Sequence, residues 1–163
     1  MKLAVSNICW TADADPTIGP RLRDVGCNAI EVAPGRLFED VSTADENITK
    51  VARDTWLGRG LPMISMQALL YGQTDFGLLG PDATPMVEYL DHVIEIAGVL
   101  GCGPLVFGSP GNRRRGEMSF SDALNASVPV FRRIGDSAEK QGCILCLEAN
   151  ATGYGCDFMT RLS

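Results

Sequence analysis

The stretch Ile144-Leu-Cys-Leu-Glu-Ala-Asn150 decides what kind of sheet this chain builds. Four apolar residues run without a break into a carboxylate and then an amide. Such a run, entered from Gly142, suits a buried strand of a parallel sheet covered on both faces. A carboxylate at the end of that strand is costly to desolvate unless a cation or a hydrogen-bond donor meets it. Two readings of Glu148 follow. It is a metal ligand or catalytic base at the C-terminal edge of a sheet, or it ends the strand and points to water.

Working outward from this strand, the same pattern recurs upstream. Residues 3–8 form a short apolar strand, and residues 29–33 place Ile30 and Val32 on one face with Glu31 on the other. Residues 62–69 do the same with Ile64, Met66 and Ala68 against Ser65 and Gln67, and residues 104–109 supply a fourth strand. Helical signals lie between them. Asp15 is a candidate N-cap ahead of Pro16, for a helix that Gly19 and Pro20 should shorten or delay and that ends at Gly26. Thr43-Ala-Asp-Glu46 reads as a capping box for a helix over residues 44–59, stopped by Gly60. Thr84-Pro85 opens a third helix with Met86, Val87, Leu90, Val93, Ile94, Ala97 and Leu100 on one stripe; His92, the sole histidine, falls off it. A fourth spans residues 120–140, with Pro129 in its interior and a kink expected there.

The order βαβαβαβαβ implies a parallel sheet with right-handed crossovers. Two architectures are compatible with it: an open doubly wound sheet, or part of a (β/α)8 barrel, about four βα units plus a fifth strand. A complete barrel takes about 250 residues, against 163 here. Asp157-Phe-Met-Thr160 reads as the start of another helix, which favours the barrel and an apparently truncated single domain over residues 1–163.

Composition bounds the function classes. A hydrophobic content of 45% with 21% charged residues is that of a globular domain. A net charge of −6 argues against a general nucleic-acid partner, which needs a basic face. No segment is long enough to span a membrane, and the apolar start is too short, and too soon followed by Asp13 and Asp15, for a secretory signal; a cytoplasmic location is expected. Among six cysteines, Cys143 and Cys146 form a C-x-x-C, but a strand turns positions i and i+3 to opposite faces, so one metal cannot bridge them. Free thiols are expected.

The candidate chemistry gathers at strand ends. Glu31, Gln67 and Glu148 each close a strand, where parallel sheets build their sites; Asn7 and Asn150 could complete a polar rim. The loop over residues 108–116 concentrates Arg113, Arg114 and Arg115 beside Asn112 in an acidic protein. Guanidinium groups suit carboxylate and phosphate oxygens. The loop reads either as an anion-recognition element or as a solvated basic turn, and it matches no phosphate-loop fingerprint. With a single imidazole, badly placed, nucleophilic triad chemistry is unsupported. A carboxylate-based site, with or without a divalent cation, is what these residues offer.

The segments Met1-Lys-Leu-Ala-Val-Ser-Asn-Ile-Cys-Trp10, Ala29-Ile-Glu-Val-Ala-Pro34, Met66-Gln-Ala-Leu-Leu70, Val106-Phe-Gly-Ser-Pro110 with Asn112-Arg-Arg-Arg-Gly116, and Leu145-Cys-Leu-Glu-Ala-Asn150 resemble the sugar phosphate isomerase/epimerase family of xylose-isomerase-like barrels. The resemblance implies a (β/α)8 barrel with a divalent cation (Mn, Mg, Co or Zn) and a small sugar or polyol substrate. It implies a metal site formed by a Glu ending strand five, an Asp ending strand six, a His from strand seven and a Glu ending strand eight. Glu148 corresponds to the first, as ligand and as general base for a proton beside the substrate carbonyl. Asn7, Glu31, Gln67, Asn112, Arg113, Arg114 and Asn150 would line the substrate side. The chain departs from the pattern at Ala149, where proline is usual, and in lacking strands six to eight. The expectation is therefore little or no activity for this chain, with self-association through open strand edges. The alternative is a small α/β module that binds an anionic, phosphorylated ligand through Arg113 to Arg115.

Overall fold

The computed structural model describes residues 3–162. Five short strands, β1 (Ala4–Ser6), β2 (Ala29–Val32), β3 (Met63–Met66), β4 (Pro104–Phe107) and β5 (Ile144–Leu147), form one parallel sheet in the order β1-β2-β3-β4-β5. Each strand pairs with the one before it in sequence. A doubly wound sheet reverses direction at a switch point; this one never does. Strict succession of parallel strands is the barrel's winding, and the sheet is an arc of a (β/α)8 barrel.

The connecting helices are α1 (Asp15–Asp24), α2 (Pro34–Leu37), α3 (Glu46–Gly58), α4 (Thr84–Leu100) and α5 (Phe120–Lys140). Along the outside, α3 packs on α4 and α4 on α5. All seven stripe residues of α4 are buried, with Leu90, Val93 and Ala97 at 0% exposure. His92 lies off the stripe, half-buried, its Nε2 3.0 Å from the Val41 carbonyl.

Several local expectations need correction. The helix α1 runs from Asp15 despite Gly19 and Pro20. Pro20 faces solvent there and Gly19 is buried, where an added Cβ would stand 3.4 Å from Arg59 Cβ. Asp15 is the first helical residue rather than the cap; its carboxylate accepts from Trp10 Nε1 at 2.6 Å and pairs with Arg36 at 3.0 Å. The helix α3 starts at Glu46, capped by Asp45, whose Oδ1 accepts from the Ile48 amide at 2.8 Å. Thr43 is drawn into a 3₁₀ turn instead, with its hydroxyl on the Asp40 carbonyl. Pro129 lies inside α5, which spans the residues expected of it.

Residues 157–160 are not helical. The Asp157 carboxylate accepts from the backbone amides of Arg115 and Gly116 at 2.8 and 3.1 Å, and Phe158 is buried 5.7 Å from the Phe120 ring. These contacts fasten the segment back onto the loop after β4, where a helix would have needed the same carboxylate as its cap.

The largest correction concerns β5. It is not covered on both faces: Ile144 is 67% exposed and Leu147 43%. Hydrogen bonds to β4 tie one edge, as in Ile144 N–H to the Gly103 carbonyl at 2.8 Å. Among the described residues no strand pairs with the other edge.

Candidate functional site

A cleft of about 710 Å³ opens at the C-terminal ends of β3, β4 and β5. Gln67 and Ala68 follow β3; Gly108, Ser109, Asn112 and Arg114 follow β4; Glu148, Asn150 and Tyr154 follow β5. The apolar strands end where these polar residues begin, so the sheet carries the cleft on a rigid edge.

Two wall residues bend the chain into the left-handed region without being glycine: Ala68 at φ 54° and Ser109 at φ 39°. That conformation costs an L-residue about 1–2 kcal/mol. Such strain persists where surrounding structure enforces it, and it clusters at functional sites. Both outliers lie two residues beyond a strand and line the same cleft; a third such residue, Met159 at φ 57°, lies outside it.

Glu148 sits at the β5 end of this edge. Its backbone N–H donates to the Phe107 carbonyl at 3.1 Å, extending the ladder by one residue beyond β5. Its carboxylate lies over Gly108: a Cβ there would come within 2.6 Å of Glu148 Oε2 and 3.3 Å of Asn150 Oδ1. Only glycine leaves that space open. Asn150 Nδ2 donates to Glu148 Oε2 at 2.8 Å. Gln67 Nε2 reaches across the sheet to Ser6 Oγ at 2.7 Å, linking the ends of β3 and β1.

The three arginines separate. Arg114 is exposed on the cleft wall, its guanidinium against Gly155, where a Cβ would stand 2.8 Å from Nη2. Arg115 is spent on structure, donating to the Asp157 and Met118 carbonyls. Arg113 is fully buried and does not line the cleft. An anion site built on all three is therefore not what the loop forms. Asn112 borders the cleft, but its Nδ2 donates to the Gln73 and Phe76 carbonyls at 2.6 and 3.0 Å, holding two loops together.

Asn7 and Glu31 also lie outside the cleft. Asn7 is buried, with Oδ1 accepting from the Ala33 amide at 2.8 Å; Glu31 accepts from Ser65 Oγ at 3.1 Å. The structure thus brings together Gln67, Asn112, Arg114, Glu148 and Asn150 out of the residues named from sequence. It adds Ala68, Gly108, Ser109 and Tyr154. Left-handed backbone at alanine or serine has no sequence signal, and Tyr154 is not among the residues named from sequence, its one local cue being the glycine on either side of it.

The same residues can be tested as a cation site. Among the described residues no three His, Cys, Asp or Glu side chains cluster so as to hold a metal ion. Glu148 has amides and Arg114 for cleft neighbours. Divalent cations need several oxygen or nitrogen ligands, and one carboxylate among amides does not supply them. These residues alone do not fit the cation.

No protein-family model and no curated protein matches the sequence. Solved structures do match the fold. The 3-keto-D-glucoside 4-epimerase YcjR from E. coli superposes with a TM-score of 0.68 at 14% identity, over 91% of this chain and 56% of that one. D-psicose 3-epimerase from Clostridium cellulolyticum H10, solved with D-tagatose, gives 0.68 at 14% identity, over 93% of this chain and 53% of that one. The IolI protein with a bound zinc atom gives 0.64 at 16% identity, over 90% and 50%. The chain spans about half the length of each. With a xylose isomerase domain protein from Planctomyces limnophilus also among the matching structures, the chain has the fold of about half of a (β/α)8 barrel.

Proposed function

We propose that the chain is part of a sugar or polyol isomerase/epimerase, in which Glu148 moves a proton at the carbon beside a substrate carbonyl. The observation that supports this most is the seat of Glu148: a carboxylate at the end of β5, held over Gly108 and open to a cleft flanked by amides. A proton-transfer base needs to approach its carbon within hydrogen-bonding reach, and the Gly108 notch leaves that approach clear. Side-chain amides such as those of Gln67 and Asn150 can both donate and accept, which suits a polyol's hydroxyls. In the full barrel a divalent cation would polarise the substrate carbonyl.

By itself this chain turns over little or no sugar, because the described residues place one carboxylate on the cleft and no ligand set beside it. Purified chain with manganese and a panel of ketoses is expected to match the uncatalysed background. Turnover that survives dilution and drops about 10²–10⁴-fold in Glu148→Gln would keep the chemistry and refute the inactivity. Binding tests the site independently. Titration with D-tagatose should shift the side-chain amide signals of Gln67 and Asn150 in a ¹H–¹⁵N spectrum, and silence there up to high millimolar sugar would count against the reading.

A second reading, a small module for an anionic phosphorylated ligand, is supported by Arg114, which makes no ion pair among the described residues. Inorganic phosphate that raises the melting temperature, with and without EDTA, and loses its effect in Arg114→Ala would favour it.

The free edge of β5 carries a further consequence. Unpaired strand edges with exposed Ile and Leu template pairing between chains, so sedimentation should show concentration-dependent association. The double substitution Ile144→Lys, Leu147→Lys is expected to shift the chain towards monomer; unchanged association would place the contact elsewhere.

A further inference from the structure

Arg113 is 0% exposed, and no carboxylate reaches its guanidinium among the described residues. Nη2 donates to Asn150 Oδ1 at 2.7 Å, while Nε and Nη1, also buried, find no acceptor. A buried cation without its counter-charge is costly, more than filling space would require. Its one partner leads to the cleft. Asn150 accepts from Arg113 on one side and donates to Glu148 Oε2 at 2.8 Å on the other. The direction is forced by chemistry: guanidinium only donates and an ionised carboxylate only accepts, so the amide between them can adopt one orientation.

We propose that Arg113 is a positioning residue, which through Asn150 fixes the Glu148 carboxylate over Gly108 at the mouth of the cleft. The catalytic meaning of that placement rests on the proton-transfer reading of Glu148; the placement itself does not. Arg113 supplies the fixed end of the relay, because a fully buried side chain cannot swing, and Asn150 transmits its position. Gly108 provides the second restraint by leaving room for Oε2. Side chains that do chemistry are held in place by just such locked neighbours. The expected consequence is that an exposed glutamate behaves as an ordered one.

The test uses chain labelled with ¹³C at glutamate side chains, at fixed neutral pH, with the Glu148 carboxyl signal assigned by its loss in Glu148→Gln. In the wild type that signal should stand apart from those of the other exposed glutamates. Arg113→Gln, Asn150→Ala and Gly108→Ala should each move it into their envelope. Asn150→Asp should move it too while keeping the melting temperature, since its carboxylate pairs with Arg113 directly but cannot donate to Glu148. A folded Arg113→Gln chain whose Glu148 signal stays in place overturns the proposal. Should that variant fail to fold, an unmoved signal in Asn150→Asp overturns it instead. A merely structural arginine would change stability and leave this signal alone. Failure of the sugar-binding titration with these spectra as expected would sink the functional reading and leave the positioning intact.

Discussion

Phe107→Ala is expected to destabilise the chain by about 3–5 kcal/mol, among the largest losses any single truncation here should produce. Phe107 closes β4, is 0% exposed, and meets the Phe131 ring of α5 edge-on at 5.3 Å between centroids and an interplanar angle of 85°. Removing the ring deletes that contact and leaves a cavity between sheet and helix. Its carbonyl receives the Glu148 amide, so the damage lies directly under the cleft. Urea unfolding should show a lower midpoint with an unchanged slope. A loss under about 1 kcal/mol would mean that α5 is not seated on β4 in this way.

Alkaline pH provides the second large effect. Burial, and to a smaller degree the Cys143 thiol and the Glu31 carboxylate, push the Cys102 thiol up from 9.0 to about 12. Below the unfolded value both states keep the proton and the contribution is fully present. Above it the unfolded chain ionises while the folded chain resists, so stability falls by about 1.4 kcal/mol per pH unit until the folded thiol also titrates. Between about pH 9 and 11 the loss from this group should reach roughly 3 kcal/mol. Tyr89 and Cys143, raised mainly by their own burial, act in the same direction. The check is the slope of unfolding free energy against pH, which should flatten in Cys102→Ala. An equal slope in that variant would assign the loss to other groups. Thiol labelling offers a companion measurement: exposed Cys9 should react at once, and buried Cys102 only with opening of the fold.

The predictions fall on different parts of the molecule for a physical reason. Stability resides in the packed layer between sheet and helices, around Phe107, Leu90 and Cys102. The proposed proton transfer belongs to the strand ends, where Glu148 is exposed and makes few contacts. Glu148→Gln should therefore alter binding and order with little cost to folding, the reverse of Phe107→Ala, whereas Asn150 is the one acceptor of buried Arg113 and its truncation costs stability as well.

Much of the fold was legible in the chain. Strand and helix existence followed from period: Met86, Leu90, Val93, Ile94 and Ala97 recur at helical spacing, and all are buried. The place of Glu148 at a strand end was legible as well, because an apolar run ending in a carboxylate is a local pattern. Helix starts were less so, since Asp45 outcompetes Thr43 and Asp15 turns to Trp10 and Arg36 for reasons that lie outside the local sequence. Three adjacent arginines look alike in sequence. Only folding makes one buried, one exposed to the cleft and one tied to Asp157.

The sequence by itself determined the alternation of strands and helices and the residue types at the strand ends, because periodicity and composition are local properties of the chain. Tertiary structure alone decided between an open sheet and a barrel arc, since strand order is a matter of which neighbours pair. It alone exposed β5, which the apolar run had suggested was covered, because burial depends on what lies alongside. It also joined Arg113, Asn150, Gly108 and Glu148 into one arrangement, through contacts between loops 37 or more residues apart that no local pattern encodes.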